Sequence, residues 1–250
     1  MKVRIASYNI RFGGRNREAL LGQVLHSMEP HVAILQEATD VDVVERLAKL
    51  SKMSIWSSRK TRSLALLSRV PLSSWKWHQA KQRNQFFLEV NLKSPPLRIY
   101  GVHLRPHYFG LSERYRIGEI QNLLEVAGCK EERGIPHLLL GDFNAAAPGD
   151  EPLIKRMPYW IRAPIRIGGG RIKTRSIDIL RRAGFTDAYR RLHPHQPGFT
   201  FPSFSPHIRI DYVFLSPGFP WSLEDCCVVR APAIVAQASD HLPLLAELSV

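Results

Sequence analysis

Residues 137–144 read HLLLGDFN, an apolar run that ends in a carboxylate and an amide two positions apart. The three leucines predict a buried strand, and Gly141 marks its end. A carboxylate directly after a buried strand costs free energy unless a metal ion or a hydrogen-bonded partner compensates its charge. Asp142 and Asn144 are therefore candidate functional residues, although Asp-x-Asn alone is also a common turn.

The same arrangement, a polar side chain at the end of an apolar run, recurs along the chain. The residues concerned are Asn9, Glu37, His103, Asp211, Asp240 and His241. Each has an ordinary explanation taken singly, as a turn residue, a cap or a core histidine. Strand ends in α/β sheets form the crevice where ligands bind, so together these residues predict one site.

Apolar runs alternate with helical periodicity from end to end, which predicts a single α/β domain over residues 1–250. Strands are expected at residues 3–8, 32–36, 64–68, 86–92, 97–103, 137–141, 210–215 and 244–248. Helices are expected at 16–28, 40–50, 112–127 and 176–183, with Asn16, Asp40 and Ser112 as caps. The region 148–175, which contains three consecutive glycines, is expected to be a long loop.

The charge of the chain is uneven. Its formal net charge is +13, and residues 51–100 and 151–200 carry nearly all of the excess. Such blocks favour a polyanionic partner, while a solvated surface is the simpler alternative. Three cysteines, no signal-peptide pattern and no apolar run of spanning length predict a soluble, cytoplasmic protein.

Seven motifs in fixed order resemble the endonuclease/exonuclease/phosphatase superfamily, the DNase I-like group. They are SYNI at 7–10, LQE at 35–37, LLSR at 66–69, VHL at 102–104, GDFN at 141–144, IDYV at 210–213 and SDHLP at 239–243. The resemblance covers the whole chain. It implies a four-layer sandwich of two mixed β-sheets flanked by helices, and a phosphoric-ester hydrolase that uses Mg²⁺ or Mn²⁺.

The resemblance also implies how the metal is held. Glu37 is expected to bind the cation directly, with Asn9 beside it, because a hard cation prefers oxygen ligands. Asp240 is expected to provide a second metal contact. Arg83 is expected to contact the substrate phosphate.

The remaining site residues are expected to act on water and phosphate. Asp142 and Asn144 would orient or deprotonate the attacking water and bind phosphate, and Asp211 would fix the tautomer of His241. His103 would stabilise the phosphate or protonate the leaving group. Which group is the general base stays open. Residues 51–88 contain no Asp or Glu, so His103 is expected to lack the carboxylate partner found in DNase I-like relatives.

Two substrate classes remain after the chemistry is assigned. Aromatic residues lie among the cations of the two basic blocks, including Trp160 between Arg156 and Arg162, and Phe201 precedes the strand of Asp211. Cations follow a phosphate backbone and aromatic faces stack on bases, which favours a nuclease acting on DNA or RNA. The alternative is a phosphatase or phosphodiesterase of lipid headgroups, sugar phosphates or nucleotides. A binding module with an inactive site is disfavoured because the catalytic positions carry the expected residue types.

Overall fold

The computed structural model describes residues 1–81, 85–106, 110–128 and 135–250. Two six-stranded mixed sheets form its centre. The first sheet contains β1 (Lys2–Asn9), β2 (Val32–Gln36), β3 (Ile55–Ser58), β4 (Leu64–Ser68), β11 (Ser222–Val228) and β12 (Leu244–Ser249), in the order β11-β12-β1-β2-β4-β3. The second contains β5 (Leu72–Gln79), β6 (Phe86–Leu92), β7 (Leu97–His103), β8 (His137–Asp142), β9 (Thr186–Asp187) and β10 (Asp211–Leu215), in the order β5-β6-β7-β8-β10-β9.

Seven α-helices accompany the sheets in the described part of the chain. They are α1 (Glu18–Met28), α2 (Val41–Leu50), α3 (Gly110–Gly128), α4 (Tyr159–Ile167), α5 (Arg175–Arg182), α6 (Ala188–Leu192) and α7 (Val235–Ala238). Helices α1 and α2 pack outside the first sheet, and α3 and α5 outside the second. The predicted four-layer sandwich is confirmed. No helix among the described residues combines the length and the hydropathy needed to cross a membrane.

The central strands are continuously apolar because both of their faces are covered. Ile34 and Leu140 lie in the core between the sheets, whereas Leu35 and Leu139 face the helices, and all four are fully buried. Burying one such side chain contributes roughly 1.5–3 kcal/mol relative to leaving it exposed. Inter-sheet packing therefore fixes how the ends of the two sheets meet.

Several local predictions were wrong in detail. The region 148–175 is not one loop, because α4 forms within it despite Pro164. Asn16 does not cap α1, which begins at Glu18, and Asn16 has a left-handed φ of 62°. Ser112 lies inside α3 rather than before it. The Asp40 cap is confirmed, since its carboxylate accepts N–H bonds from Asp42 and Val43.

Strand direction brings the polar strand ends to one edge of the sandwich. β1 and β2 are parallel, so the residues that follow them share an edge. β7 and β8 are also parallel and place His103 opposite Asp142, while β10 runs antiparallel to β8 and pairs Asp211 with the same Asp142. β12 runs antiparallel to β1, so Asp240 and His241, just before it, reach this edge too.

Candidate active site

Asp142 lies at the centre of the shared edge and is buried. Its Oδ1 accepts the N–H of Asn144 at 2.8 Å, and its Oδ2 accepts the amide of Asn9 at 3.1 Å. Gly141, directly before Asp142, lets β8 approach β7 closely. It has a φ of 147°, and a Cβ there would lie 1.9 Å from the carbonyl oxygen of Val102. The glycine of the GDFN motif is therefore a requirement of close strand packing.

His241 is held by an ion pair. Its Nδ1 lies 3.0 Å from Asp211 Oδ2, and its Nε2 lies 3.9 Å from Asp142 Oδ2. Burial alone would lower the pKa of His241, but the carboxylates of Asp211 and Asp142 outweigh it and raise the pKa to about 10. Phe201 packs against the ring at a centroid distance of 4.8 Å. The imidazole is thus fixed in orientation and protonated at neutral pH.

His103 has the opposite electrostatic character. Its Nε2 lies 3.8 Å from Asp142 Oδ2, so this oxygen sits between two imidazole rings. Burial, together with the positive charge of His241, lowers the pKa of His103 to about 4. Within the described ranges no carboxylate hydrogen-bonds to the His103 ring; the Gln85 side chain donates instead to its backbone carbonyl. His103 is therefore a neutral imidazole beside an imidazolium.

The acidity of Asp142 is shifted toward neutrality. Burial raises its pKa, the His241 charge opposes the rise and Asp211 adds to it, which leaves the pKa at about 7. A carboxylate that exchanges its proton near neutral pH matches the requirement for general base catalysis.

Glu37 is the carboxylate best placed to receive a cation. Its Oε2 accepts the N–H of Phe12 at 2.6 Å and its Oε1 accepts the amide of Asn9 at 3.2 Å. Both donors are neutral, and no basic side chain within the described residues forms a salt bridge with Glu37. Its φ of 55° is left-handed, a backbone conformation that costs a non-glycine residue roughly 1–2 kcal/mol. Its uncompensated charge fits a hard metal ion.

The other predicted metal contacts are engaged differently. Asn9 turns its amide nitrogen toward Glu37 and Asp142, while its oxygen accepts the N–H of Arg11 at 2.9 Å. Asp240 lies 3.4 Å from the guanidinium of Arg11. Asn9 is therefore positioned to orient Glu37, and Asp240 already has a cationic partner.

One cluster of ionisable groups in the described ranges has spacing suited to a metal. Ligand atoms of Asp142, Asp211 and His241 lie within 4.8 Å of one another. A protonated imidazole, however, has no free lone pair for a metal. A metal at this cluster would therefore have to displace the proton of His241, whose pKa is about 10 in the metal-free site.

These side chains surround a cavity of about 510 Å³. Its lining comprises Phe12, Glu37, His103, Pro106, Asp142, Asn144, Trp160, Ile161, Phe201, Ile210, Asp240 and His241. Phe12 and Trp160 lie at the mouth, where 79% and 72% of their surfaces are exposed. Of the predicted site residues, Asn9 and Asp211 contact this lining from behind, and Arg83 lies outside the described residues.

Residues 6–241 match the model of the Endonuclease/Exonuclease/phosphatase family. The chain belongs to this family. Membership agrees with the site, because a buried acid–base network beside an uncompensated carboxylate is suited to the hydrolysis of phosphate esters. No curated protein matches the sequence significantly.

Solved structures support the same fold. An AP endonuclease from Archaeoglobus fulgidus superposes with a TM-score of 0.75 at 17% identity, covering 99% of this chain and 100% of that one. A 3′ phosphatase from Neisseria bound to product DNA hairpin gives 0.74 at 18%, with the same coverage. D. rerio TDP2 complexed with single strand DNA product gives 0.70 at 16%, covering 100% and 99%. At these identities the likeness establishes the fold.

Two supporting hydroxyls of this family member were not predicted from sequence. Thr200 Oγ1 accepts the backbone N–H of Ile210 at 3.2 Å, next to Asp211. Ser239 Oγ donates to the carbonyl of Asn9 at 2.7 Å and so joins the start of the last strand to the first. Ser239 begins the SDHLP motif, so only its hydrogen-bonding role was missed, whereas no motif identified Thr200, which lies between Phe199 and Phe201.

The basic blocks reach the same edge of the sandwich as the site. The loop 59–63 joins β3 to β4 at the end where β4 begins opposite Gln36. Arg59 stacks over Trp77, with Cζ 4.5 Å from the ring centroid. Trp77 also packs against the inter-sheet core, so strand packing explains this residue. The second block includes α4, which contributes Trp160 to the cavity.

Proposed function

We propose that this family member is a metal-dependent phosphodiesterase that hydrolyses nucleic acid. The substrate class is inferred from the residues at the mouth of the cavity. This mouth bears exposed Trp160 and Phe12, and both basic blocks of the sequence supply segments to the same edge. Exposed aromatic faces and cations around a phosphate-ester site match a polynucleotide.

In this proposal Asp142 orients and deprotonates the attacking water, since its pKa of about 7 suits a base at neutral pH. Asn144 fixes that carboxylate through its backbone N–H. Protonated His241 donates Nε2–H to the phosphate oxygen on which negative charge develops, and Asp211 maintains its orientation. His103, which is neutral, donates a hydrogen bond to the phosphate.

We propose that Glu37, oriented by Asn9, would hold Mg²⁺ or Mn²⁺, and that Asp240 would supply a further oxygen ligand in place of its contact with Arg11. When bound, the metal neutralises phosphate charge and lowers the pKa of water. The support for this assignment is the donor chemistry, because Glu37 is a carboxylate with only neutral partners in the described part of the chain.

A second candidate function has one observation in its favour. A mainly apolar cavity of about 310 Å³ adjoins the catalytic one and shares Trp160, Ile161, Phe201 and Asp240 with it. Such a cavity suits an apolar group attached to a phosphate, as in a small phosphate ester. We retain a phosphatase or phosphodiesterase of small esters as the alternative.

We also propose that residues 1–250 act as one catalytic domain, because strands of both sheets supply residues to the site.

We further propose a reducing, cytoplasmic setting, which the free thiols of Cys226 and Cys227 support.

A substrate panel tests this proposal. It contains supercoiled DNA, single-stranded DNA, RNA and several phosphomonoesters, each at about 50 and 200 mM salt, with Mg²⁺ or with EDTA. We expect polynucleotide cleavage that requires metal and weakens steeply with salt, because phosphate contacts release counterions. His241→Asn, purified identically, controls for contaminating nuclease. Turnover confined to monoesters would reject the nuclease assignment in favour of the alternative.

A further inference from the structure

The outward face of α4 is unusual for a surface helix. Tyr159, Trp160 and Ile167 are 71%, 72% and 88% exposed, while Ile165 is buried beneath them. At about 100° per residue, the exposed three fall on one side of the helix together with Arg166. Large apolar side chains grouped at the surface mark an interaction site.

The charge around this face is of one sign. Residues 152–177 contain seven Lys or Arg and no Asp or Glu. Arg162 lies one helical turn before Arg166, and its guanidinium donates to the carbonyl of Lys155 at 3.4 Å. No salt bridge among the described residues involves this segment. These cations are therefore available to an external anion.

The position of the helix connects this face to catalysis. Trp160 and Ile161 line the catalytic cavity, while Tyr159 lies outside its lining. A chain whose phosphate occupies the cavity must continue over its mouth, and α4 is one side of that mouth. The aromatic and basic side chains are thus suited to the part of the substrate that flanks the reacting phosphate.

We propose that α4 binds an unpaired strand of nucleic acid, with bases stacked on Tyr159 and Trp160 and phosphates paired with Arg162 and Arg166. This inference rests on the proposed nuclease function. In a duplex the bases already stack on one another, so exposed aromatic faces offer little to it, whereas every unpaired base has a free face. A helix of nine residues is about 13 Å long, which limits the contact to roughly four stacked nucleotides.

An anionic membrane is the other surface that attracts a basic helix with exposed aromatic residues. The nucleic-acid strand is favoured because Trp160 belongs both to this face and to the catalytic cavity. The helix has only nine residues and is followed by three glycines, so its apolar face is too short for deep insertion.

Fluorescence anisotropy tests the inference, with labelled dT12 and a 12-base-pair duplex as probes. The measurements use an Asp142→Asn background with Mg²⁺, so that bound DNA stays intact. We expect tighter binding of dT12 than of the duplex. Tyr159→Ala should weaken dT12 binding roughly 5- to 150-fold, the range for one stacked base, with little effect on the duplex. Arg166→Gln should reduce the salt slope for dT12 by about 0.7.

Matched controls lie away from this face. Trp75→Ala removes an aromatic residue that is 41% exposed on β5, and Lys52→Gln removes an exposed cation at the opposite edge of the first sheet. Neither should change dT12 binding. The circular dichroism spectrum and the urea unfolding midpoint of Tyr159→Ala should match those of its parent, which shows that the variant is folded.

Three results would overturn the inference. The first is that Tyr159→Ala and Trp75→Ala weaken dT12 binding equally. The second is that the protein binds the duplex as tightly as dT12. The third is that it binds vesicles containing phosphatidylserine but not dT12. If polynucleotides are nevertheless cleaved, the proposed function stands and only the role of α4 falls. If no polynucleotide is bound or cleaved, both fall.

Discussion

Replacing Asp211 with Asn should change the protonation of His241 more than any other property of the site. The two residues are joined at 3.0 Å, and the substitution removes the charge while keeping the shape. At an effective dielectric constant of about 20, a charge pair at this distance is worth on the order of 5 kcal/mol, or about four pKa units. The pKa of His241 should therefore fall from about 10 to roughly 6.

At pH 7.5 the ring would then change from almost fully protonated to about one molecule in thirty protonated. The proposed mechanism needs the imidazolium, and the neutral ring would also lose its fixed tautomer. We expect kcat to fall roughly 10²- to 10⁴-fold. The ring ¹⁵N chemical shifts of wild type and Asp211→Asn, titrated in EDTA and assigned with His241→Gln, measure the pKa directly.

The linkage to stability has a defined sign. The pKa of His241 in the folded protein exceeds its unfolded value of about 6.5, so its stabilising contribution is complete below that pH. The contribution is lost as the pH rises through about 10. The stability difference between wild type and Asp211→Asn should shrink over this interval. A wild-type His241 that titrates near 6.5, or an unchanged pKa in the variant, would refute the reasoning.

Other substitutions separate metal binding, backbone packing and buried charge. Glu37→Gln should raise the Mg²⁺ concentration for half-maximal activity at least about tenfold, by loss of a charged ligand; an unchanged metal titration would place the ion elsewhere. Gly141→Ala should lower the free energy of urea unfolding by roughly 3 kcal/mol or more, because its Cβ meets Val102 at 1.9 Å, whereas Gly149→Ala, with φ of 86° in open space, should cost about 1–2 kcal/mol. Equal losses would show that packing does not select Gly141. Arg209→Met should cost roughly 3–5 kcal/mol in the same assay, because the side chain is 1% exposed and pairs with two carboxylates: buried Asp150 would keep only Arg190, and Asp187 would lose its ion pair. A loss below about 1 kcal/mol would contradict this.

The central strands were predictable because both of their faces are covered. Continuous apolar runs such as 138–140 are recognisable as strands because a helix and a second sheet bury both of their faces. Edge strands lack this signal. Most residues of β5 are exposed, and β11 has three polar residues and a single buried one among its seven, so neither resembles a core strand and both were missed. Pairing with a neighbouring strand determines these segments.

The helix α4 was missed for a different reason. Its sequence contains Pro164 and is followed by three glycines, both of which locally disfavour a helix. Ile161 and Ile165, one turn apart, pack inward and stabilise it in the folded protein. Tertiary contacts thus override local propensity at the segment that borders the cavity.

The residues of the site were predictable, but their electrostatic roles were not. Motif order identified Asp142, Asp211 and both histidines, yet their sequence positions do not indicate that His103 and His241 share one carboxylate oxygen. That arrangement depends on the register of β7, β8 and β10. Burial and the nearby imidazolium lower the pKa of His103, whereas the carboxylates of Asp211 and Asp142 raise the pKa of His241.

The most direct test is the initial rate of hydrolysis of a labelled DNA oligonucleotide by wild type and by Asp142→Asn, each with Mg²⁺ and with EDTA. The proposed mechanism predicts that cleavage by wild type requires Mg²⁺. It also predicts that the rate with Mg²⁺ is at least about 100-fold lower in the variant. Equal rates in wild type and Asp142→Asn, or full activity in EDTA, would contradict metal-assisted hydrolysis at this site.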